Sequence, residues 1–293
     1  MTTYTYAKIP YFAPAPDILP TYDEIVAQAK ESPGWKPGRA VVRIGNYFIA
    51  KYGKKVNFIE GRNMLLVQEH TTIRIPSVYA MYKHEPSGDN VIIMEYVPGE
   101  TLQDVYEKLD ANKKASVGAQ LREQLRELRE IPSPRCYGLP APYGQQENPP
   151  YLAHSWIFKK RAGPFDTAAE FLDAYFRAQF SEVSEVGRSE IAYMKSQFVE
   201  LSKKNDASVF THADLQPKNI ILRKDGFICI IDWESASFCP AYFEFFMHET
   251  YRMVSAGLYK IMDNGHFLEY GQMVELIKKV WDTYITLNYL ENS

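Results

Sequence analysis

Cysteine is scarce: Cys136, Cys229 and Cys239 are spread over 293 residues with no close pair. An odd set without Cys-x-x-Cys spacing excludes a disulfide framework and a zinc site, and it points to a reducing, intracellular setting. No apolar run approaches the ~18 residues that would span a bilayer. The stretch up to Pro20 also lacks the apolar core of a secretory signal. The expectation is a cytoplasmic protein without a membrane partner. Excess charge of one sign is missing too, since 33 Lys and Arg stand against 36 Asp and Glu, a net −3. Bulk attraction to nucleic acid is therefore excluded, and any partner has to be held by a specific site. There is no Gly-x-Gly-x-x-Gly run, and His70, His84, His154, His248 and His266 have no metal-ligand spacing.

What is present is a globular composition. Hydrophobic types make up 46% and charged types 24%, which excludes wholesale disorder, collagen and coiled coil. The first 20 residues are rich in Tyr and Pro and read as an extended arm. Thr21-Tyr22-Asp23-Glu24 has the form of a capping box and predicts a short helix through Ile25 and Ala29 to the break at Pro33. Gly34 to Gly38 is a loop with Trp35 in its middle. Arg39 to Ile44 and Tyr47 to Tyr52 flank Gly45-Asn46 and read as a hairpin, with Lys51 near the end of its second strand. Ile59, Met64, Leu66 and Val67 recur at helical spacing and predict a helix within Val56 to His70, although Gly61 inside it costs about 1 kcal/mol.

Ser77 to Tyr82 and Asn90 to Val97 are two more strands, after which Pro98-Gly99 breaks the chain. Thr101-x-x-Asp104 caps a helix, and Leu121, Leu125 and Leu128 mark another that ends at Pro132. Pro132 to Pro164 is too rich in proline for regular structure. Ala168 to Phe180, Ser189 to Lys203 and the segment from Tyr242 onward read as helical. Strands first and helices later predict an α+β protein of two lobes. Residues 1–97 would form an arm, a helix and a small antiparallel sheet, and residues 98–293 a mostly helical lobe, with the ligand site expected between them.

The densest signal is FTHADLQPKNIILRKDGFICIIDWE, from Phe210 to Glu234. Asp225-Gly226 is a strong two-residue hairpin signal between the strands Ile220 to Arg223 and Phe227 to Ile231. With those two residues as the loop, Lys224 faces Phe227 and Asn219 faces Asp232. Neighbouring strands lie ~4.8 Å apart, so the Asn219 amide oxygen and the Asp232 carboxylate are expected to share one hard cation, magnesium carrying a bound phosphate. Asp214 precedes Asn219 by five residues. His212-x-Asp214-x-x-x-x-Asn219 is the spacing of a kinase catalytic loop, in which the Asp accepts the proton of the attacking hydroxyl.

HADLQPKN followed by IIDWE resembles the aminoglycoside phosphotransferase and choline-kinase-like superfamily, whose usual forms are His-Gly-Asp-x-x-x-x-Asn and Ile-Asp-Trp-Glu. IAKYG at Ile49 to Gly53 is similar to its lysine-bearing strand, EGRNMLLVQEHTTIRIPSVY to the following helix, and MEYVPGETL to its hinge. RAGPFDTAAEF at Arg161 to Phe171 resembles a stretch common in the fungal branch. The resemblance implies a two-lobed protein-kinase-like fold and a phosphotransferase that uses ATP and Mg2+ to phosphorylate a hydroxyl of a small molecule. It implies that Lys51 holds the α- and β-phosphates and that Glu60 pairs with it. Glu95 and Val97 would offer backbone groups to adenine, and His212 would support the loop. Glu234, Glu244 and Glu249 fall where related enzymes place acidic groups against cationic substrates; solvated surface glutamates are the alternative.

Two other functions stay open. A catalytically silent ATP- or ligand-binding module accommodates Ala213 in place of the usual Gly and the unusual Gly34 to Gly38 loop. A protein kinase fits less well: Gln216 replaces the lysine usual after the catalytic Asp, Asp232 is followed by Trp-Glu rather than Phe-Gly, and no Ala-Pro-Glu follows.

Overall fold

The capping box at Thr21 forms as its spacing requires. Thr21 Oγ1 accepts from Glu24 N–H, Glu24 Oε2 accepts from Thr21 N–H at 2.8 Å, and helix α1 runs over Tyr22–Lys30. The structure, a computed structural model, describes residues 4–32, 40–139, 163–180, 185–203, 206–247 and 271–291. The Gly34 to Gly38 loop, Glu249, Arg161, and His154, His248 and His266 lie outside the described residues, as does most of the proline-rich segment before Pro164.

The chain groups into two units, Tyr6–Val105 with Lys218–Glu234, and the remainder. The first contains a five-stranded antiparallel sheet in the order β1-β4-β5-β3-β2. Its strands are β1 (Tyr11–Phe12), β2 (Ala40–Ile44), β3 (Phe48–Gly53), β4 (Val78–His84) and β5 (Asp89–Glu95). Alternation sends Val42, Phe48, Ala50, Tyr52, Ala80, Val91 and Ile93 to one face, where Ile25 and Ala29 of α1 close the core. Residues one step along point the other way, so Lys51, Met81 and Ile92 share the opposite face, where helix α2 (Ile59–His70) packs on β4. The extended arm expected before Pro20 contains strand β1, which adds to β4 with Tyr11 opposite Met81 and Phe12 opposite Ala80.

The remaining unit is mostly helical: α4 (Ala111–Glu130), α5 (Ala168–Gln179), α6 (Glu185–Ser202) and α7 (Gly271–Glu291). The short α3 (Leu102–Val105) precedes it in the sheet unit. Asp110 caps α4, and a second capping box, Thr167 with Glu170, starts α5. The core is aromatic. Phe171 meets Phe243 edge to face at 4.8 Å, and Tyr175, Phe198, Tyr242 and Phe246 extend the cluster. Strands β7 (Ser208–Thr211) and β10 (Ser237–Pro240) pair antiparallel and flank the catalytic-loop sequence in the chain.

Strands β8 (Ile220–Leu222) and β9 (Ile228–Ile230) belong to the sheet unit, with the short β6 (Glu100–Thr101) beside β8. Their register corrects the sequence expectation. Ile220 faces Ile230 and Leu222 faces Ile228, and Arg223 N–H donates to Phe227 O at 2.9 Å. The loop therefore has three residues, Lys224 to Gly226, with Gly226 at φ +83°. Asp-Gly serves two kinds of turn, and here Gly supplies the left-handed third residue of a three-residue loop rather than closing a two-residue one. Asn219 thus faces Ile231, whose N–H donates to Asn219 O at 2.9 Å, and not Asp232.

This register has a consequence that mutation can read. Gly226→Ala should cost about 1 kcal/mol through the left-handed backbone alone, because a Cβ there meets nothing within 4 Å. Lys224→Pro should be tolerated within about 1 kcal/mol, since the residue after Arg223 sits where a type I turn accepts proline. Under a two-residue loop the same change would remove a ladder hydrogen bond. Urea unfolding of the two variants distinguishes the registers.

Candidate active site

Lys51 lies in β3 on the sheet face that carries α2, opposite Val41 on one neighbouring strand and Ile92 on the other. It is buried, and its ammonium is bound by two carboxylates, Glu60 Oε1 at 2.6 Å and Asp232 Oδ1 at 2.8 Å. Glu60 comes from the first turn of α2 and is itself buried. The two charges push the lysine in the direction of tighter proton binding despite the burial that opposes it. Burial raises the Glu60 pKa, with the Asp232 and Glu234 charges adding to the rise and Lys51 opposing it.

Asp232 reaches this lysine through a chain reversal. Its φ is +65°, a left-handed conformation rare in residues other than glycine. The next residue, Trp233, is fully buried; its Nε1 donates to Ile230 O at 3.0 Å and its carbonyl accepts from Asn63 Nδ2 at 2.9 Å. The tryptophan anchors the end of β9, and the left-handed residue before it turns the carboxylate toward Lys51. One oxygen each of Glu60, Asp232 and Glu234 lies within 4.8 Å of the others. Three clustered carboxylates, two of them on the Lys51 ammonium, leave an excess of negative charge, and the donors are hard oxygens of the type that magnesium selects.

Of the residues expected here, the structure brings together Lys51, Glu60, Asp232 and Glu234. Asn219 is buried in the 3₁₀ turn Pro217–Asn219 that leads into β8. Asn63 was not singled out by the sequence, although a polar residue four positions after Ile59 and three before Leu66 interrupts the apolar stripe of α2. Glu95 uses its carboxylate locally: Oε2 accepts from Ser77 N–H at 3.1 Å and from Ser77 Oγ at 3.2 Å, while its N–H donates to Ser77 O at 2.8 Å. Val97 is buried.

The catalytic-loop sequence, His212 to Gln216, belongs to the helical unit. Asp214 is buried; its N–H donates to His212 Nδ1 at 3.3 Å, and its Oδ1 accepts from Gln216 Nε2 at 2.5 Å. His212 therefore braces the loop by accepting at Nδ1. Ala213 has φ +61°, which is why glycine is usual at that position in the family the sequence resembles. Glu244 does not stand at the surface as a group for cationic substrates. It is buried, and Oε2 accepts from His212 N–H at 2.7 Å and from Ala213 N–H at 3.3 Å. Successive N–H groups around a left-handed residue make a small anion-binding concavity, and Glu244 fills it.

A model of the phosphotransferase enzyme family matches residues 35–265. The chain belongs to that family. No curated protein matches it by sequence. Among solved structures, it is similar to a thermostable mutant of aminoglycoside phosphotransferase APH(4)-Ia in ternary complex with AMP-PNP and hygromycin B, with TM-score 0.56, 14% identity and coverage of 92% of this chain and 90% of that one. It is also similar to the GDP complex of wild-type aminoglycoside 2'-phosphotransferase-IIIa, with TM-score 0.56, 14% identity and coverage of 92% and 91%. The fold of this phosphotransferase-family member is thus the α+β, kinase-like fold of those enzymes. No helix among its described residues is long and apolar enough to cross a membrane.

Glu244 offers a test of the loop. Glu244→Ala would strand two buried N–H groups and should cost about 2 kcal/mol or more. Glu244→Gln keeps an acceptor oxygen and removes a buried charge, so it should be tolerated. Because burial raises the Glu244 pKa, the folded wild type binds a proton more readily than the unfolded chain. Its stability relative to Glu244→Gln should therefore increase as pH falls from 8 toward 5, measured by denaturant unfolding at each pH.

Proposed function

We propose that this chain is an ATP- and Mg2+-dependent kinase that transfers the γ-phosphate to a hydroxyl of a small molecule. The observation that carries the reading is the buried Lys51 ammonium held by Glu60 and Asp232 at 2.6 and 2.8 Å. A lysine fixed by carboxylates on both sides is aimed without losing its third donor, the arrangement that phosphate binding needs. In this reading Lys51 contacts the α- and β-phosphates, and Asp232 and Asn219, with Glu234 beside Asp232, hold the cation. Magnesium, when bound, would neutralise charge on the phosphate oxygens. Adenine would rest against Val41, an exposed valine opposite Lys51, and would meet the Glu95 carbonyl and the Val97 N–H. The nucleotide-binding part would then fall within residues 1–97 and the acceptor-binding part within 98–293. Free thiols at Cys136, Cys229 and Cys239 support a cytoplasmic setting.

Asp214 would orient the acceptor hydroxyl and take its proton. Phosphoryl transfer has a loose transition state with little need for early deprotonation, so placement of the hydroxyl contributes as much as basicity. Gln216 at 2.5 Å from Asp214 Oδ1 supplies a neutral donor that fixes the carboxylate without a competing positive charge. The similar structures hold AMP-PNP with hygromycin B in one case and GDP in the other. At 14% identity they support the fold of this chain and not a particular acceptor.

The test is a screen of hydroxyl metabolites for ATP-dependent phosphate acceptance, with Asp214→Ala as the blank. On the acceptor found, Asp214→Asn should lower kcat by about 10² to 10⁴-fold and leave the Kd for magnesium-ATP nearly unchanged. Equal loss in both would indicate a collapsed loop. Asp232→Ala should abolish turnover with the fold intact, and a fully active variant would remove Asp232 from the site. Magnesium-ATP binding without transfer to any acceptor would favour the silent binding module.

A further inference from the structure

Helix α2 has a polar composition for an element buried on nearly every side: Glu60, Gly61, Arg62 and Asn63 are all buried in its first turns. Its N-cap residue, Phe58, makes no side-chain cap bond. The start of the helix is instead tied down residue by residue. Gly61 lies so close to β4 that a Cβ there would fall 2.4 Å from Met81 Sδ. Asn63 donates to Trp233 O at the end of β9. Between them, Arg62 Nε donates to the carbonyl of Ala7 in the N-terminal arm at 3.2 Å, with the arginine only 8% exposed.

The arm then continues as β1, where Tyr11 pairs with Met81 and Ala13 N–H donates to Tyr79 O at 2.9 Å. So the arm grips the α2 turn by two routes, directly through Arg62 and through the β4 residue that touches Gly61. Both contacts fall on the two residues that follow Glu60 in the same helical turn, and Glu60 is the residue that holds Lys51.

We infer that the N-terminal arm is part of the phosphate-binding machinery, and that Arg62 is a positioning residue which clamps α2 to the arm and thereby sets Glu60 against Lys51. The role assigned to Lys51 rests on the phosphotransferase reading above; the clamp itself is a statement about α2. A guanidinium buried beside a backbone carbonyl is a costly way to fill space, whereas a directional donor at the first turn fixes both the position and the rotation of the helix.

Amine acetylation read by mass spectrometry tests the clamp without nucleotide. In the wild-type chain Lys51 should react slowly, because it is buried and doubly paired. Arg62→Met keeps the apolar stem and removes the donors; it should raise Lys51 acetylation more than about twofold relative to the exposed Lys30, the low end of couplings between residues in contact. Arg62→Lys restores a donor and should bring the rate back toward wild type. Unchanged Lys51 labelling in Arg62→Met, with the melting profile retained, would overturn the clamp, as would a general rise at all lysines.

The second arm of the experiment is magnesium-ATP binding by titration. Arg62→Met should weaken it in the wild-type background and add no further loss in Glu60→Gln, because its effect passes through Glu60. Additive losses would overturn that route. If wild type binds no magnesium-ATP, the phosphotransferase reading fails, and the labelling result still decides whether the clamp exists.

Discussion

One ammonium among carboxylates organises the sheet unit. Lys51, Glu60 and Asp232 come from a strand, a helix and the end of a hairpin, and each must be placed to within a few tenths of an ångström for the 2.6 and 2.8 Å contacts to coexist. Burying charges costs several kcal/mol per ion unless they are paired and hydrogen-bonded, so such a group is weak evidence for stability. Its value is specificity. Rotation of α2 by one residue would leave the buried Glu60 charge unmatched, and this penalises other packings of the helix. With Glu234 included the carboxylates outnumber the ammonium, and clustered hard oxygen donors of that kind suit a divalent cation.

The same economy of placement explains two of the left-handed residues, Ala213 and Asp232. A residue with positive φ turns a chain sharply as it leaves a strand. Asp232 turns immediately after β9, with Trp233 wedged into the core behind it, so its carboxylate points at Lys51 rather than along the strand. Ala213 turns between His212 and Asp214, with His212 bracing from one side and Glu244 from the other. In both cases a strained residue is held by buried partners that over-determine it, which is how backbone strain persists at sites that must aim a side chain.

How much of this was legible in the sequence depended on how local the signal was. The capping box at Thr21, the strands around Lys51 and the helix from Ile59 are encoded within a few residues, and they formed within about three residues of the expected limits. The hairpin after Asn219 was legible as a hairpin and misread by one residue, because Asp-Gly fits both two- and three-residue loops and only the paired strands choose between them. The pairing of β1 with β4 was invisible, since a two-residue strand next to prolines carries no period. Glu244 was misplaced for a related reason: nothing near it in sequence says that two N–H groups more than thirty residues earlier need an acceptor. Lys51 with Glu60 was carried by resemblance, and no spacing rule would have joined them.

Magnitudes decide what the departure at Ala213 means. An L-residue held left-handed costs about 1–2 kcal/mol relative to glycine. Burying the methyl returns about 0.8 kcal/mol. The His212 and Ala213 N–H groups both donate to the buried Glu244, and leaving either one buried without an acceptor would cost about 1–3 kcal/mol. The side chain that accepts from both N–H groups therefore outweighs the strain of the alanine. An alanine at this turn is tolerated so long as Glu244 stands behind it. The geometry of Asp214 then depends on a buried glutamate from outside the loop rather than on the freedom of a glycine within it.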